Sequence, residues 1–315
     1  MQHNYKIYFR SPFNLADSVK LSGALISATF KLYPQKEIEI IKELNNFGLQ
    51  ISDQFPVNSL NNELLFPSPI ISYSMPKEKN REKRIASGKE RKGSVSYSSL
   101  DSIKKVVEIF EKEGITKQDA SHILEETFQG QKNKLIDYEE IYEYAVSLED
   151  IKPRVYIREL VKVGNLQLRN VRNEEILSYN PVWFIAKYSM EEFTNAISFL
   201  EDSGISAMFT RGKGHFRFEK YQSDLETDFK GNGYYLLLSK FCPCAQDINN
   251  IDLSRSYYSI ETFTGLSRTN SPLPKIRYFR PGSLLYLTGE IYGRVLSTNE
   301  GRRILNFTSV KTKVK

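Results

Sequence analysis

The most informative part of this sequence is the stretch Gly204-Ile205-Ser206-Ala207-Met208-Phe209-Thr210-Arg211-Gly212-Lys213-Gly214-His215-Phe216-Arg217-Phe218. It places glycines, cations and aromatic residues together, directly after a helical pattern. Glycine lets a backbone approach a bulky anion closely, so that N–H groups face phosphate oxygens. Phe216 and Phe218 alternate with Arg217 as in a strand and would offer one face to bases. A hairpin turn with a charged rim explains the same residues, so nucleic-acid contact and an ordinary turn both stay open.

Length and composition indicate a globular protein of about two domains, since domains usually hold about 100–200 residues. The chain has 315 residues, of which 40% are hydrophobic. It contains no apolar run long enough to span a membrane, and its start lacks the apolar core of a signal peptide, so we expect a cytoplasmic protein. Its two cysteines, Cys242 and Cys244, supply at most half of a zinc site, and we interpret them as buried or partly buried thiols without a metal.

Charge is distributed unevenly along the chain, although the net charge is only +6. Residues 76–92 carry eight cations and three glutamates, which predicts a mobile basic loop that either keeps the protein soluble or contacts a polyanion. Residues 101–150 carry thirteen acids and six lysines within helical patterns. A basic loop beside an acidic helical insertion suits a subunit that contacts both nucleic acid and another protein.

Hydrophobic periodicity predicts an α+β fold. In the first half, alternation over 5–9 predicts a strand, and apolar residues at 21, 25, 28 and 32 predict a helix. A second helical face (Ile38, Ile41, Leu44, Phe47) ends at Gly48, a predicted C-cap, and residues 65–71 fit an edge strand or an ordered connector.

The second half repeats this outline. Residues 154–160 and 165–169 predict a hairpin punctuated by cations, 181–188 a buried strand, and 191–203 a helix that ends near Gly204. Further strands are predicted at 234–239 and 257–260, with a closing pair over 283–288 and 290–296. Two strand–helix–strand units with added hairpins indicate two ferredoxin-like domains, over 1–150 with the basic loop (76–92) and helical insertion (100–150), and over 151–315 with the glycine-rich stretch.

Catalytic motifs are scarce in this sequence. It has three histidines and lacks a zinc-protease motif, a phosphate-binding Walker loop and a nucleophile elbow. His215 is the single candidate for acid–base chemistry, because one histidine can move protons during attack by an RNA 2′-hydroxyl. A stacking or hydrogen-bonding contact explains its position beside Gly214 equally well. We therefore expect a protein without catalytic activity, metal or cofactor.

The order of these features resembles the RAMP proteins of CRISPR systems, and more narrowly the Cas5-like group found as the fourth Csm subunit of type III effector complexes. The resemblance covers nearly the whole chain. It rests on the helix start at 18–25, the Pro67-Ser68-Pro69 segment, the basic loop, the glycine-rich stretch, the phrase Leu238-Ser239-Lys240-Phe241-Cys242-Pro243, and residues 257–268 followed by 279–284. The chain departs from the family pattern at Val19 and Lys20 and has fewer glycines in its glycine-rich loop.

The resemblance implies a non-catalytic subunit that holds the 5′ repeat-derived tag of CRISPR RNA and joins a large polymerase-like subunit to the backbone RAMP subunits. Some relatives cleave precursor RNA, so an endoribonuclease that uses His215 is the alternative, and a scaffold without RNA contact is a third possibility. The predicted RNA-binding residues are Lys20, Arg158, Arg211, Gly212, Lys213, Gly214, His215, Arg217 and Arg268.

Overall fold

The computed structural model of the protein describes residues 1–9, 15–57, 62–70, 97–111, 166–171, 174–179, 181–205, 215–264, 275–298 and 303–314. Within these ranges helices and antiparallel strands are mixed, which confirms the predicted α+β class. The helices are α1 (Ser18–Leu32), α2 (Glu37–Asn45), α3 (Leu100–Phe110), α4 (Glu191–Ser203) and α5 (Ala245–Ile248). The strands are β1 (Gln2–Phe9), β2 (Leu49–Ile51), β3 (Phe55–Pro56), β4 (Phe66–Pro67), β5 (Tyr97–Ser98), β6 (Leu166–Val171), β7 (Glu174–Tyr179), β8 (Val182–Tyr188), β9 (Phe216–Tyr221), β10 (Gly233–Leu237), β11 (Ile251–Tyr257), β12 (Ile260–Phe263), β13 (Ile276–Phe279), β14 (Leu284–Leu287), β15 (Gly293–Thr298), β16 (Arg303–Thr308) and β17 (Lys311–Lys313).

The first sheet has the antiparallel strand order β2-β8-β1-β9, and β3 also pairs with β8. Alternation along β1 sends Tyr5, Ile7 and Phe9 to one face, where they join a core formed with α1, α2 and α4. Because successive side chains of a strand point to opposite faces, Asn4, Lys6 and Tyr8 lie on the other face of β1. The predicted first strand and first helix are both confirmed.

Helix α1 begins where the sequence supplies an acceptor for its first backbone donors. The carboxylate of Asp17 accepts a hydrogen bond from the backbone N–H of Lys20 at 2.9 Å, which is N-capping. Leu21, Leu25 and Ala28 then recur on one face and are at most 3% exposed. The N-cap and the buried apolar face therefore both favour a helix over Ser18–Leu32.

Helix α4 lies beside α1 on the same face of the first sheet. It buries Phe193, Ala196, Ile197 and Leu200, and it ends at Gly204, whose φ of 82° suits a residue without a Cβ. The prediction of this helix and of its end is confirmed.

Helix α2 differs from its predicted pattern in the face that it buries. Ile40 and Leu44 enter the core, whereas Ile38 is 86% exposed. The predicted C-cap is wrong as well, because Phe47 and not Gly48 adopts the left-handed backbone, with φ of 60°. The N–H of Gly48 donates to the carbonyl of Glu43 at 2.8 Å, so the turn closes with Phe47 in the strained position.

The second sheet has the order β11-β14-β10-β17 and packs against the first sheet through a shared core. Trp183 of β8 is fully buried in this core, where its ring lies against Phe55 and Phe66 and its Nε1 donates to the carbonyl of Leu65 at 2.9 Å. Helix α3 adds Ile103 and Val107 to the same core. Burial on both faces explains why β8 reads as a continuous apolar run.

Of the two predicted strand pairings, one is wrong and the other lies partly outside the described residues. Strand β6 pairs with β7, while the predicted partner segment at 154–160 lies outside the described residues. Strands β14 and β15 do not form the predicted closing pair: β14 lies between β10 and β11, and β15 pairs with β16. Local periodicity identifies strands but carries no information about which edge each one meets.

Residue 150, at which the sequence analysis divided the chain, falls between strands that share one sheet. Strands β1 and β2 come from the first part, and β8 and β9 come from the second. The predicted edge strand is confirmed as β4, which pairs with β5, and the helical insertion is confirmed over α3. The rest of the insertion (112–150) and the basic loop (76–92) lie outside the described residues.

Candidate nucleic-acid interface

The chain enters β9 from the glycine-rich stretch at one end of the first sheet. Phe9, the last residue of β1, is opposite Phe216, the first residue of β9, and β8 begins nearby because Val182 is opposite Ile7. Half-buried His215 directly precedes β9, and exposed Arg217 is its second residue. Two of the predicted RNA-binding residues therefore lie together at this end of the sheet.

The aromatic residues of the stretch do not serve the predicted purpose. Phe216 is 2% exposed and packs against Phe9 with ring centroids 6.0 Å apart, while half-buried Phe218 meets Tyr5 edge-on at 5.6 Å. Both belong to the core beneath α1 and α4. The expectation that they offer a face to bases is wrong, because the register of β9 turns them toward the helices.

The opposite face of β1 and β9 carries polar and aromatic side chains. Tyr8 lies directly opposite Arg217, and Lys6 directly opposite Glu219. Tyr8 is 37% exposed, and its hydroxyl donates a hydrogen bond to the Glu219 carboxylate. Burial of its hydroxyl end, together with this bond, raises the pKa of Tyr8 to about 12, so the phenol is neutral at physiological pH. Lys6 is 9% exposed, and its Nζ donates to Oδ1 of Asn62 at 3.1 Å.

Lys20, the predicted phosphate contact of α1, lies in a different environment. Its Nζ is 3.2 Å from Oδ2 of Asp17, and its side chain is 72% exposed. Nζ of Lys240 lies 3.0 Å from the same carboxylate oxygen. The side chains of Lys240 and Asp17 are only 17% and 15% exposed. Lys240 also lies over the ring of Tyr278, at 5.1 Å from its centroid. The start of α1 is thereby joined to the segment after β10.

A second carboxylate supports the same helix start. Asp53 accepts the backbone N–H of Ser18 at 2.7 Å, and Oγ of Ser18 accepts the N–H of Lys240 at 2.9 Å. Burial, opposed in part by the bond from Ser18, raises the pKa of Asp53 to about 7. Burial also acts to raise the pKa of Asp17, but the neighbouring ammonium of Lys240 and the helix N–H bring it below its usual value. The fold therefore raises the pKa of Asp53 and lowers the pKa of Asp17.

Arg158, Arg211, Gly212, Lys213, Gly214 and Arg268 lie outside the described residues.

The burial of the two cysteines agrees with their interpretation as buried or partly buried thiols. Cys242 is a buried thiol, and burial raises its pKa, while Cys244 is half-buried and precedes α5. Within the described ranges, no group of three or more His, Cys, Asp or Glu residues is arranged to hold a metal ion. In the same ranges, no helix is both long and apolar enough to cross a membrane.

Sequence reasoning missed Tyr8, Asp53 and Lys240. The position of Tyr8 was readable, since it alternates with the buried residues of β1 and therefore faces away from the helices. Asp17, directly before an apolar helical pattern, also fits the N-cap signal. The contact between Asp17 and Lys240 spans 223 residues of sequence, and local pattern gives no indication of it.

Comparison with known proteins identifies the fold. No family model and no curated protein matches this sequence. Among solved structures, a chain in the crystal structure of the Csm3-Csm4 subcomplex of the type III-A CRISPR-Cas interference complex is similar, with a TM-score of 0.51, 14% identity, and coverage of 98% of this chain and 99% of that chain. A chain in the crystal structure of the Csm1-Csm4 cassette in complex with pppApApA has a TM-score of 0.46 and 13% identity, with coverage of 100% of this chain and 98% of that chain. A chain in the structure of the type III-B Cmr-beta complex bound to cognate target RNA and AMPPnP has a TM-score of 0.41 and 12% identity, with coverage of 90% of this chain and 86% of that chain.

The first of these similarities carries the conclusion about fold, since it extends over nearly all of both chains. At 14% identity it establishes the architecture and leaves the roles of individual residues to be argued from this chain. The resemblance to a Csm4-like RAMP protein, first drawn from the order of sequence features, is confirmed at the level of the fold.

Proposed function

We propose that this protein is a non-catalytic subunit of a type III CRISPR effector complex that binds the 5′ tag of the CRISPR RNA. The observation that carries the proposal is the fold similarity to a chain of a Csm3-Csm4 subcomplex over 98% of this chain. That neighbour comes from a Csm3-Csm4 subcomplex, and we propose a backbone RAMP subunit as one partner of this protein. In line with the sequence resemblance, the other partner would be the large polymerase-like subunit, in a cytoplasmic complex.

The topology of the first sheet supports an RNA-binding role. Its main elements follow the order β1-α1-β2-β8-α4-β9 with the strand order β2-β8-β1-β9, which is the ferredoxin-like pattern of many RNA-binding domains. We propose that the second sheet derives from a second ferredoxin-like unit. The end of the first sheet that carries His215 and Arg217 is then the place where the RNA backbone lies, with the predicted cations Arg211 and Lys213 close in sequence.

Purification from the native host tests this function most directly. The tagged full-length protein should copurify with several RAMP subunits, and sequencing of the associated RNA should return CRISPR RNAs that share a repeat-derived 5′ end. Recovery of the same proteins without such RNA would indicate that the protein is a scaffold that does not contact RNA. Recovery of neither would refute the proposal.

Binding by the full-length protein tests the RNA contact itself. Replacing Lys213 should weaken binding evenly across sequences and lower the slope of log affinity against log salt by about one, as one lost phosphate contact predicts. An unchanged slope would assign the glycine-rich stretch to a protein contact. Deleting 77–92 should leave the fold intact and weaken RNA retention or assembly.

The proposed lack of catalysis is tested with repeat RNA, with divalent metal and with a chelator. We expect no cleavage under either condition. Specific cleavage that persists in chelator and disappears in His215→Ala would replace this proposal with the endoribonuclease alternative.

A further inference from the structure

Tyr8 and Arg217 form a cross-strand pair on the face of the first sheet that turns away from α1 and α4. They are direct neighbours in the antiparallel register of β1 and β9, so their side chains leave the sheet side by side. Tyr8 is 37% exposed, and Arg217 is exposed. An accessible ring beside an accessible guanidinium is a combination that can hold a base and its phosphate together.

Exposure on this face of β1 rises toward the pair. Asn4 and Lys6 of β1 are 8% and 9% exposed, and Trp183 on the neighbouring strand is fully buried. Tyr8, one residue from the end of β1, is 37% exposed. The second sheet therefore covers the centre of this face, whereas β1 is exposed at the end where β9 begins and the edge strand β9 is exposed at Arg217 and Glu219.

The ring of Tyr8 is held in place before any ligand arrives. Its hydroxyl donates to Glu219, the next residue of β9 on the same face. A ring that is already oriented loses less conformational entropy when a flat ligand stacks on it. The same bond places the negative charge of Glu219 at the hydroxyl end, whereas the cation of Arg217 lies directly opposite Tyr8 in the register.

We propose that Tyr8 stacks on one unpaired base of single-stranded RNA while Arg217 contacts the adjoining phosphate. This inference deepens the proposed function and rests on it. The exposed cation beside the ring favours a polyanion over an apolar peptide. His215, a predicted RNA contact, directly precedes β9 and so continues this surface along the chain.

The test uses the full-length protein and RNA of the host's own repeat-derived tag, with 2-aminopurine at one position at a time. Tyr8→Ala should weaken binding about tenfold and remove the fluorescence change at one position, because stacking on one aromatic residue contributes about that much. Tyr8→Phe keeps the ring and loses only the bond that orients it, so it should bind within about fivefold of wild type and retain the fluorescence change. Tyr292→Ala is the matched control, since Tyr292 is 39% exposed and its ring stacks on Phe47, just before β2, at the edge of the first sheet opposite β9.

A second measurement does not depend on the stability of a variant. Tag RNA that carries 5-iodouridine should crosslink on irradiation to a peptide containing Tyr8 in the wild-type protein. Arg217→Ala should lower the salt slope by about one and leave the 2-aminopurine signal in place.

The outcomes separate this inference from the proposed function. If wild type binds tag RNA, but Tyr8→Ala binds equally well and no crosslink maps to Tyr8, the stacking inference is wrong and the proposed function stands. If Tyr8→Ala loses a partner subunit while keeping RNA affinity, the pair is a protein contact and the inference is also wrong. If wild type does not distinguish tag RNA from a scrambled RNA, the proposed tag binding fails first.

Discussion

The contact between Asp17 and Lys240 gives a quantitative test of how α1 is joined to the rest of the protein. Asp17 has two separate roles: one oxygen caps α1, and the other pairs with Lys240 at 3.0 Å. Asp17→Asn keeps an N-capping side chain and removes the charge, whereas Asp17→Ala removes both. Comparing the two variants therefore isolates the ion pair from the cap.

The burial of the pair sets the expected size of the effect. The side chains of Lys240 and Asp17 are 17% and 15% exposed, and hydrogen bonds to charged groups in such surroundings contribute about 1.5–3 kcal/mol. Asp17→Asn should lower the free energy of unfolding by that amount. Asp17→Ala should lose about 1 kcal/mol more, which is the typical contribution of an N-cap.

Equilibrium denaturation followed by fluorescence measures these changes, because Trp183 is the one tryptophan of the chain and is fully buried between the two sheets. A double-mutant cycle of Asp17→Asn with Lys240→Met should give a coupling energy of about 1–3 kcal/mol. The matched control pairs Asp17→Asn with Lys20→Met. Lys20 meets the same oxygen at 3.2 Å but is 72% exposed, so its coupling should stay below about 0.5 kcal/mol.

Equal coupling in the two cycles would refute the reasoning, since burial would then make no difference to the strength of the pair. A stability of Asp17→Asn equal to that of wild type would refute it as well. Acid provides a further check. Because the pKa of Asp17 is lowered in the fold, its contribution is present above the unfolded pKa near 4 and is lost as pH falls through the lowered value, a dependence that Asp17→Asn lacks.

Three further predictions concern other buried groups. The raised pKa of Asp53, about 7, means that its contribution is fully present below the unfolded pKa near 4 and is lost as pH rises to 7; Asp53→Asn should therefore gain stability relative to wild type between pH 5 and 8 in urea denaturation, and a constant difference would contradict this. Gly282→Ala should cost about 1–3 kcal/mol in thermal unfolding, since φ is 88° and the added Cβ would lie 2.7 Å from the carbonyl of Ser68, whereas Gly23→Ala in α1 meets nothing within 4 Å and should stabilise by about 0.5–1 kcal/mol. Asp247→Ala should cost at least about 3 kcal/mol in denaturant, because this fully buried carboxylate accepts three backbone N–H bonds, and a loss below about 1 kcal/mol would show that water replaces it.

The elements whose order decides the first sheet were readable from local pattern. The alternation of β1, the helical faces of α1 and α4, and the apolar run of β8 were all predicted, because each pattern states directly which side of the element is buried. The same alternation places Tyr8 on the side opposite Tyr5, so one member of the proposed stacking pair could have been found from sequence.

Only the tertiary structure decided which elements meet. Periodicity placed Phe216 and Phe218 on one strand face, but the choice between bases and core depended on the pairing of β9 with β1 and on the helices beneath it. The exposure of Tyr8 depends likewise on how far the second sheet extends over the first. The pairing of Asp17 with Lys240 joins residues 223 positions apart, and patterns read within short segments give no information about contacts at that separation. Sequence thus determined the local elements through burial and capping within single turns and strands, while long-range packing decided which surface is exposed for the proposed RNA contact.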